Sequence, residues 1–201
     1  MPSPFDLNWQ HESLEGKIVV ALERLAEVFR VLAWEVSKES GLSPIQMQIL
    51  IFCLFHKQQM ATVSTLAEEF HLTKATISES VRVLENRQLI TKKTNKADQR
   101  RYHLVLTARG KKLAEKASEF ANALLLAAGH LQQSMKEQLL MALLQMIRDL
   151  QRQGIIHPQR MCWNCRFYTL HQQQPYCALL HKPLHVANLR VDCPEFELNL
   201  S

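Results

Sequence analysis

The sequence predicts a mainly α-helical protein with one small β-hairpin and a short cysteine-rich module at its C-terminus. Apolar residues recur every three or four positions over two long stretches, as on the buried face of an amphipathic helix. Between these stretches, a basic segment at residues 89–106 alternates apolar and polar side chains, as half-buried strands do. Four of the five cysteines fall in the last 40 residues, which predicts a separate segment with its own chemistry.

The first helix is expected to run from about Ser13 to Ser40 and to end at Gly41, because a glycine readily adopts the left-handed conformation that terminates a helix. Its apolar positions are Leu14, Ile18, Leu22, Leu25, Phe29, Leu32 and Val36. The next helix should begin at Ser43, with Pro44 in the first turn and Gln46 reaching back to complete a capping box.

Two shorter helices across a tight turn follow. Thr65 and Glu68 have the spacing of a capping box, which predicts a helix that ends near His71. Thr73 can cap a second helix over about Lys74 to Arg87, with Ile77, Val81 and Leu84 on its buried face. The polar positions suited to a DNA major groove are Thr73, Lys74, Thr76, Ser78, Glu79 and Arg82. The alternative is an ordinary solvated helix face.

The basic segment after this helix favours the DNA-reading interpretation. Residues 89–94 and 100–106 form the two predicted strands, and residues 95–99 the turn. The cations near the tip are Lys92, Lys93, Lys96, Arg100 and Arg101, more than a turn needs. Such a tip can contact phosphates or a narrow minor groove, where Arg is favoured. The order helix, helix, turn, helix and hairpin predicts a winged helix-turn-helix over residues 42–110.

These residues resemble the MarR family of winged-helix transcription regulators, over about residues 14–153. The similarity is carried by Leu66-Ala67, by the run from Leu72 to Ser78, by Leu84-Glu85, and by Asp98-Gln99-Arg100 followed by Leu106-Thr107 and Gly110. The resemblance implies that Arg100 enters the minor groove and that Asp98 orients the wing. Glu79 departs from the family pattern. Either it accepts a hydrogen bond from a cytosine amino group, or the DNA operator is unusual.

Two further helical stretches follow the wing, and they indicate a helical dimerisation region. Thr107 can cap a helix that runs to about Gly129, and Ser134 with Glu137 has the spacing of a capping box for another that ends at Gly154. The winged helix does not need these helices or the N-terminal one for its own core. The simplest use is a homodimer interface, which the family resemblance also implies, and the alternative is a monomeric helical cap. A two-fold dimer would place two recognition helices about 34 Å apart on a near-palindromic DNA site.

Composition is consistent with this reading. The chain is 47% apolar and 21% charged, with a pI near 9.0. Residues 61–116 hold twelve of the 24 Lys and Arg residues against six acids, which favours an anionic partner for this segment. The N-terminus has no signal-peptide pattern and no apolar run approaches the ~20 residues of a membrane span, so a cytoplasmic location is expected. The predicted divisions are residues 1–41, 42–110, 111–155 and 156–201.

The tail from residue 156 has little periodicity and is expected to need a staple, because 46 loop-rich residues bury little surface. Cys162 and Cys165 form a C-x-x-C pair; eleven residues separate Cys165 from Cys177, and fifteen separate Cys177 from Cys193. Three staples are open. A 4Fe–4S cluster suits four thiolates at unpaired spacings and the Cys193-Pro194 pair. Zinc could recruit His171, His181 or His185. Free thiols or disulfides are the third choice, although disulfides fit a cytoplasmic protein poorly.

The tail pattern C-x-x-C-R-F-Y, Y-C-A-L and D-C-P-E-F also resembles small modules similar to high-potential iron–sulfur proteins. The aromatic side chains expected to shield a cluster, or simply to form the core of the tail, are Trp163, Phe167, Tyr168, Tyr176 and Phe196. Cys53 lies in an apolar run and is expected to be a small core residue. Trp34 is expected to pack in the core, with an effector pocket as the alternative.

The sequence therefore predicts a homodimeric, MarR-like DNA-binding regulator whose binding to double-stranded DNA responds to a 4Fe–4S cluster at Cys162, Cys165, Cys177 and Cys193. One alternative is the same regulator with a structural zinc and a small-molecule effector. A second is an electron-transfer or docking protein. No Gly-rich phosphate loop, Ser/His/Asp arrangement or pair of catalytic carboxylates is present in the sequence, so an enzyme is not expected.

Overall fold

The computed structural model describes residues 3–95 and 98–199, and for residues 95 and 98–101 it describes the backbone alone. The helices that precede the hairpin are α1 Leu7–Glu12, α2 Leu14–Ser40, α3 Pro44–Phe55, α4 Val63–Glu69 and α5 Lys74–Asn86. The hairpin consists of β1 Ile90–Asn95 and β2 Asp98–Leu106, followed by α6 Ala108–Ser118, α7 Asn122–Gly129 and α8 Gln133–Arg152. The tail holds three short strands, β3 Tyr168–His171, β4 Gln174–Cys177 and β5 Lys182–Pro183.

The chain divides into two compact units. One comprises residues 1–61 and 78–125, and the other comprises residues 62–77 and 126–201. The helix before the predicted turn, α4, therefore belongs to the same unit as the cysteine-rich tail. No helix within residues 3–95 and 98–199 is long and apolar enough to cross a membrane.

The first unit is built around α3, α6 and the hairpin. Ile49 and Leu50 of α3 are fully buried, as are Ile90 and Leu104 on the hairpin. The hairpin is antiparallel and pairs Ile90 with Leu106 and Lys92 with Leu104. Ala61, just before α4, is tied to the hairpin, because the Leu104 N–H donates to the carbonyl of Ala61 at 2.8 Å.

Several predicted helix boundaries are confirmed. Helix α2 ends at Gly41, whose φ of +65° is left-handed. The Ser43 hydroxyl and the Gln46 side chain form the reciprocal capping box of α3. Thr107 caps α6 by accepting the N–H of Gly110 at 3.0 Å.

Three expectations about helix ends are wrong. Helix α4 begins at Val63 and is capped by Thr62, not by Thr65, whose own N–H donates to the Thr62 hydroxyl at 3.2 Å. Helix α8 begins before Ser134 and its N-cap, Gln132, makes no side-chain capping bond. The long helix expected from Thr107 to Gly129 is interrupted by a 3-10 turn at Glu119–Ala121, which separates α6 from α7. A short helix that the sequence analysis did not predict, α1, is capped by Asp6.

The second unit contains the tail as a small three-stranded antiparallel sheet in the order β3-β4-β5. Cys165 forms an isolated bridge with Leu198, so the segment around Leu198 returns to the C-x-x-C pair. The tail is held to α8 by side-chain contacts. Asn164 donates to Gln151 at 2.8 Å, and the Arg148 guanidinium lies 5.5 Å from the centre of the Trp163 ring.

Candidate nucleic-acid interface and cysteine cavity

The start of α5 is organised by threonines. The Thr73 hydroxyl accepts the N–H of Thr76 at 3.1 Å and lies 2.9 Å from the Thr76 hydroxyl, so Thr73 caps the helix as predicted. The three apolar positions Ile77, Val81 and Leu84 are buried, which confirms the predicted core face. The polar positions proposed to face DNA are all exposed; they are Thr73, Lys74, Thr76, Ser78, Glu79 and Arg82.

Three charged side chains on α5 or directly after it already have partners. Glu79 accepts a hydrogen bond from the Arg82 guanidinium at 2.7 Å, and both side chains remain mostly exposed. Arg87, which the sequence analysis did not single out as a site, donates to the carbonyls of Gly41 and Ser40 at 2.6 and 3.0 Å. A cation at the free carbonyls of a helix end is stabilising, so Arg87 ties the end of α5 to the end of α2. The only local signal for this role is a basic residue at the end of a helix.

The wing cations are in different situations. The Lys92 ammonium lies 2.7 Å from Glu85 and 5.2 Å from the centre of the Tyr102 ring. The hydrogen bond to Glu85 raises the pKa of Lys92. Lys93 is exposed. Lys96 lies outside the described residues, as do the side chains of Asp98, Arg100 and Arg101, so their predicted DNA contacts stay predictions.

All four tail cysteines line one recess of about 380 Å³, counted with its open mouth. Cys162 and Cys165 stand at the two ends of a 3-10 turn, Cys177 ends β4, and Cys193 lies in the loop after residue 190. All four are free thiols, and Cys165 is the most buried of them. The remaining wall is mainly apolar and includes Phe167, Tyr168, Leu180 and Leu184. The fold therefore brings together cysteines that are up to 31 positions apart.

Arg190 donates hydrogen bonds to two of these sulfurs. Its backbone N–H donates to Cys162 Sγ at 3.3 Å, and its guanidinium donates to Cys193 Sγ at 3.5 Å. Hydrogen bonds to sulfur, supplied by a cation, suit deprotonated thiolates that hold a metal centre. Burial raises the pKa of the Cys162 thiol, so a metal ion that bound at this sulfur would have to displace a proton. Arg190 was not predicted as a site residue, because no short pattern in the sequence links it to the cysteines.

The other predicted tail residues are placed as follows. Phe167 and Tyr168 line the recess, whereas Trp163 contacts Arg148 and Tyr176 lies against His171. Phe196 lines a separate groove that includes α4 residues. The histidines considered as zinc ligands, His171, His181 and His185, are exposed and do not line the recess. Within residues 3–95 and 98–199, no group of three or more His, Cys, Asp or Glu side chains is arranged to hold a metal ion.

Cys53 and Trp34 differ from their expected settings. Cys53 is half-buried in α3, and burial raises the pKa of its thiol to about 12. Trp34 is 55% exposed, so the expectation that it packs in the core is wrong.

A cleft of about 650 Å³, counted with its open mouth, lies in the first unit and is lined by Phe29, Met47, Ile51 and Phe120 among others.

The reactivity of Cys53 can be tested by alkylation. At pH 8 a thiol with a pKa near 12 is about one part in ten thousand thiolate, whereas an unperturbed thiol with a pKa of ~8.5 is about a quarter thiolate. We therefore expect iodoacetamide to label Cys53 of the folded protein at least a hundredfold more slowly than Cys53 of the protein unfolded in denaturant. Peptide mapping by mass spectrometry measures both rates. Equal rates would show that Cys53 is an accessible, reactive thiol.

Comparison with known proteins agrees with this fold. Residues 40–101 match the model of the MarR family. Among solved structures, the Staphylococcus aureus regulator MepR in complex with DNA is 24% identical, with a TM-score of 0.58 over 66% of this chain and 97% of that chain. MepR in its DNA-binding conformation is 23% identical, with a TM-score of 0.59 over 67% and 98% of the two chains. MepR described as a regulator of the multidrug efflux pump MepA is 25% identical, with a TM-score of 0.51 over 66% and 96%.

A comparison with curated proteins found no significant match. Each structural match leaves about a third of this chain uncovered. The helices and hairpin define a winged helix-turn-helix protein. Residues 40–101 are similar to the MarR family, and the MepR structures share the fold over about two thirds of the chain.

Proposed function

We propose that this chain is a MarR-type transcription regulator that binds double-stranded DNA as a homodimer and carries a 4Fe–4S cluster that modulates binding. The observation that carries the cluster assignment is the convergence of Cys162, Cys165, Cys177 and Cys193 on one recess. The DNA assignment is supported by the exposed polar positions of α5, by the basic wing, and by the similarity to MepR, which has been solved with DNA.

The homodimer is supported by the apolar surface of the single chain. In α2, Leu14, Leu25 and Trp34 are 68%, 49% and 55% exposed. In α8, Met135 and Leu139 are 54% and 48% exposed. Apolar surface on this scale is typical of protein interfaces. A second copy of the chain would cover such faces and set the spacing of two recognition helices.

The cysteine recess supplies the donor set that a cluster would use, although its side chains are not arranged around a metal position in this structure. Four thiols suit soft iron–sulfur chemistry, the apolar wall limits solvent, and Arg190 supplies N–H donors and a positive charge beside two of the sulfurs. When bound, the cluster would supply a redox-sensitive or iron-sensitive state. A coupling of ~1–3 kcal/mol between that state and DNA binding would be enough for regulation.

The deciding experiment is to purify the protein without oxygen, record its visible absorbance spectrum and measure iron, sulfide and zinc. A brown protein with about four irons and four sulfides per chain supports the proposal. A colourless protein with one zinc per chain would show that the tail holds a structural metal and no cluster. The α2–α3–α6 cleft would then become the candidate effector site. A second experiment passes a genomic DNA library over the immobilised protein. Retention of particular sequences indicates a regulator, and no sequence preference favours an electron-transfer protein.

Glu79 offers a test of the DNA-reading face. Replacing it with glutamine removes a carboxylate beside phosphates and frees Arg82, at little cost to the fold because the pair is exposed. We expect non-specific duplex binding to tighten about threefold, with a steeper salt dependence, since more cation charge is available to phosphates. Fluorescence anisotropy at several salt concentrations measures both.

Glu115→Gln is the matched control, since Glu115 is an exposed acid of α6 that lies 3.9 Å from the Lys111 ammonium. An equal gain in DNA affinity in both variants would show that the effect comes from the change in net charge alone. Weaker binding to a selected DNA site in Glu79→Gln alone would show instead that Glu79 itself reads a base.

A further inference from the structure

The unit that contains the cysteine recess also contains α4 and the turn that follows it. These parts are in direct contact. Arg160, at the start of the tail, lies 2.7 Å from the Glu69 carboxylate at the end of α4, and the two side chains are only 14% and 26% exposed. A largely buried ion pair of this kind is costly to break, because the remaining charge is left in a poorly solvated position.

Arg160 also holds the loop that carries Cys193. Its guanidinium donates to both carboxylate oxygens of Asp192, at 2.8 and 3.0 Å. Its backbone carbonyl accepts the N–H of Cys193 at 2.9 Å. A two-pronged guanidinium–carboxylate pair has a defined geometry, so a shift of the Cys193 loop must move or release the guanidinium.

A second contact joins the tail to the turn. The imidazole of His157 stacks on that of His71, with centroids 5.3 Å apart and planes 3° from parallel. His71 has a φ of +52°, a left-handed conformation that few residues other than glycine adopt. The residue that allows the chain to reverse between α4 and α5 is therefore supported from the tail.

We propose that Arg160 is a positioning residue that couples Cys193 to α4, through Asp192 on one side and Glu69 on the other. A change in the metal or redox state of the cysteine recess then alters the position of α4 within one chain. This effect on the helix-turn-helix does not require the dimer helices to rearrange. This inference rests on the proposed function for its physiological meaning. Its structural content, a coupling between Cys193 and α4, can be tested separately.

The test combines substitution with hydrogen–deuterium exchange of the peptide that covers residues 63–69. Cys193→Ser should raise the exchange rate of this peptide several-fold. The substitution removes the sulfur that the Arg190 guanidinium contacts, and this loosens the loop that orients Asp192. Glu69→Gln should raise it to a similar extent. Adding Cys193→Ser to Glu69→Gln should then produce no further increase, since contacts along one chain of interactions are not additive.

Glu68→Gln is the matched control, because Glu68 is the exposed neighbour of Glu69 and undergoes the same change of charge. In that background the response to Cys193→Ser should be intact. Circular dichroism verifies that each variant is folded, and Asp192→Asn replaces Glu69→Gln if the latter is not. DNA affinity of the cluster-loaded and metal-free protein should differ in the wild type and in Glu68→Gln, and the difference should shrink at least threefold in Glu69→Gln.

Unchanged exchange in Cys193→Ser, or fully additive effects in the double variant, would overturn the coupling. That outcome leaves the cluster assignment intact if iron and sulfide are present. If the wild-type protein holds no iron, the proposed function fails instead, and the exchange measurements still decide whether Cys193 and α4 are coupled.

Discussion

Replacing Gly110 with alanine is expected to destabilise the winged helix by about 2–4 kcal/mol, from overpacking and from lost hydrogen bonds. A Cβ atom at this position would lie 1.8 Å from the carbonyl oxygen of Leu89, which is backbone and cannot rotate away. The same oxygen accepts the N–H of Thr107 at 3.0 Å, so a shift that relieves the clash also strains the cap of α6. Gly110 is thus required for the close approach of α6 to the start of the hairpin.

Chemical denaturation followed by circular dichroism measures this effect, and Gly129→Ala is the control. A Cβ at Gly129 meets no heavy atom within 4 Å, and the residue lies in a helix. Alanine there should be neutral or stabilise by up to ~1 kcal/mol, because it loses less backbone entropy on folding. A Gly110→Ala protein as stable as the wild type would show that the hairpin and α6 can separate freely.

Under the proposed function, replacing Cys165 with serine is expected to abolish metal binding by the cysteine recess. Cys165 is the most buried of the four thiols, and its backbone carbonyl accepts the N–H of Tyr168 at the start of β3. A hydroxyl is a poor ligand for soft metals, so three thiolates remain. We expect iron per chain to fall at least tenfold, the visible chromophore to disappear, and the tail to become sensitive to protease, because metal binding contributes folding energy to small modules of this kind.

Cys53→Ser is the matched control for this prediction. It changes the same atoms at a thiol that the structure places in α3 rather than in the recess. Iron content and colour should be unchanged. Full retention of iron in Cys165→Ser would exclude the four-thiol site, and an equal loss in both variants would indicate a general loss of folding.

Much of the helical framework was predictable because its signals are local. A capping residue and its partner are three positions apart, and a helix face repeats within four residues. This is why the ends of α2, the start of α3 and the buried face of α5 follow from the sequence alone. The same locality explains the errors. Thr62 and Thr65 both have the chemistry of a cap, and their hydroxyls lie 2.9 Å apart in the structure, so the choice between them depends on packing that the local pattern does not contain.

The sequence by itself determined the order of elements, the basic wing and the presence of four cysteines in a short C-terminal segment. Only the tertiary structure decided that these cysteines share one recess, that Arg190 serves two of them, and that Arg160 reaches Glu69 across 91 positions of the chain. The physical reason is that caps and helix faces are set by neighbours in sequence. Contacts between distant residues are set instead by how the whole chain packs, and no short pattern in this sequence encodes them.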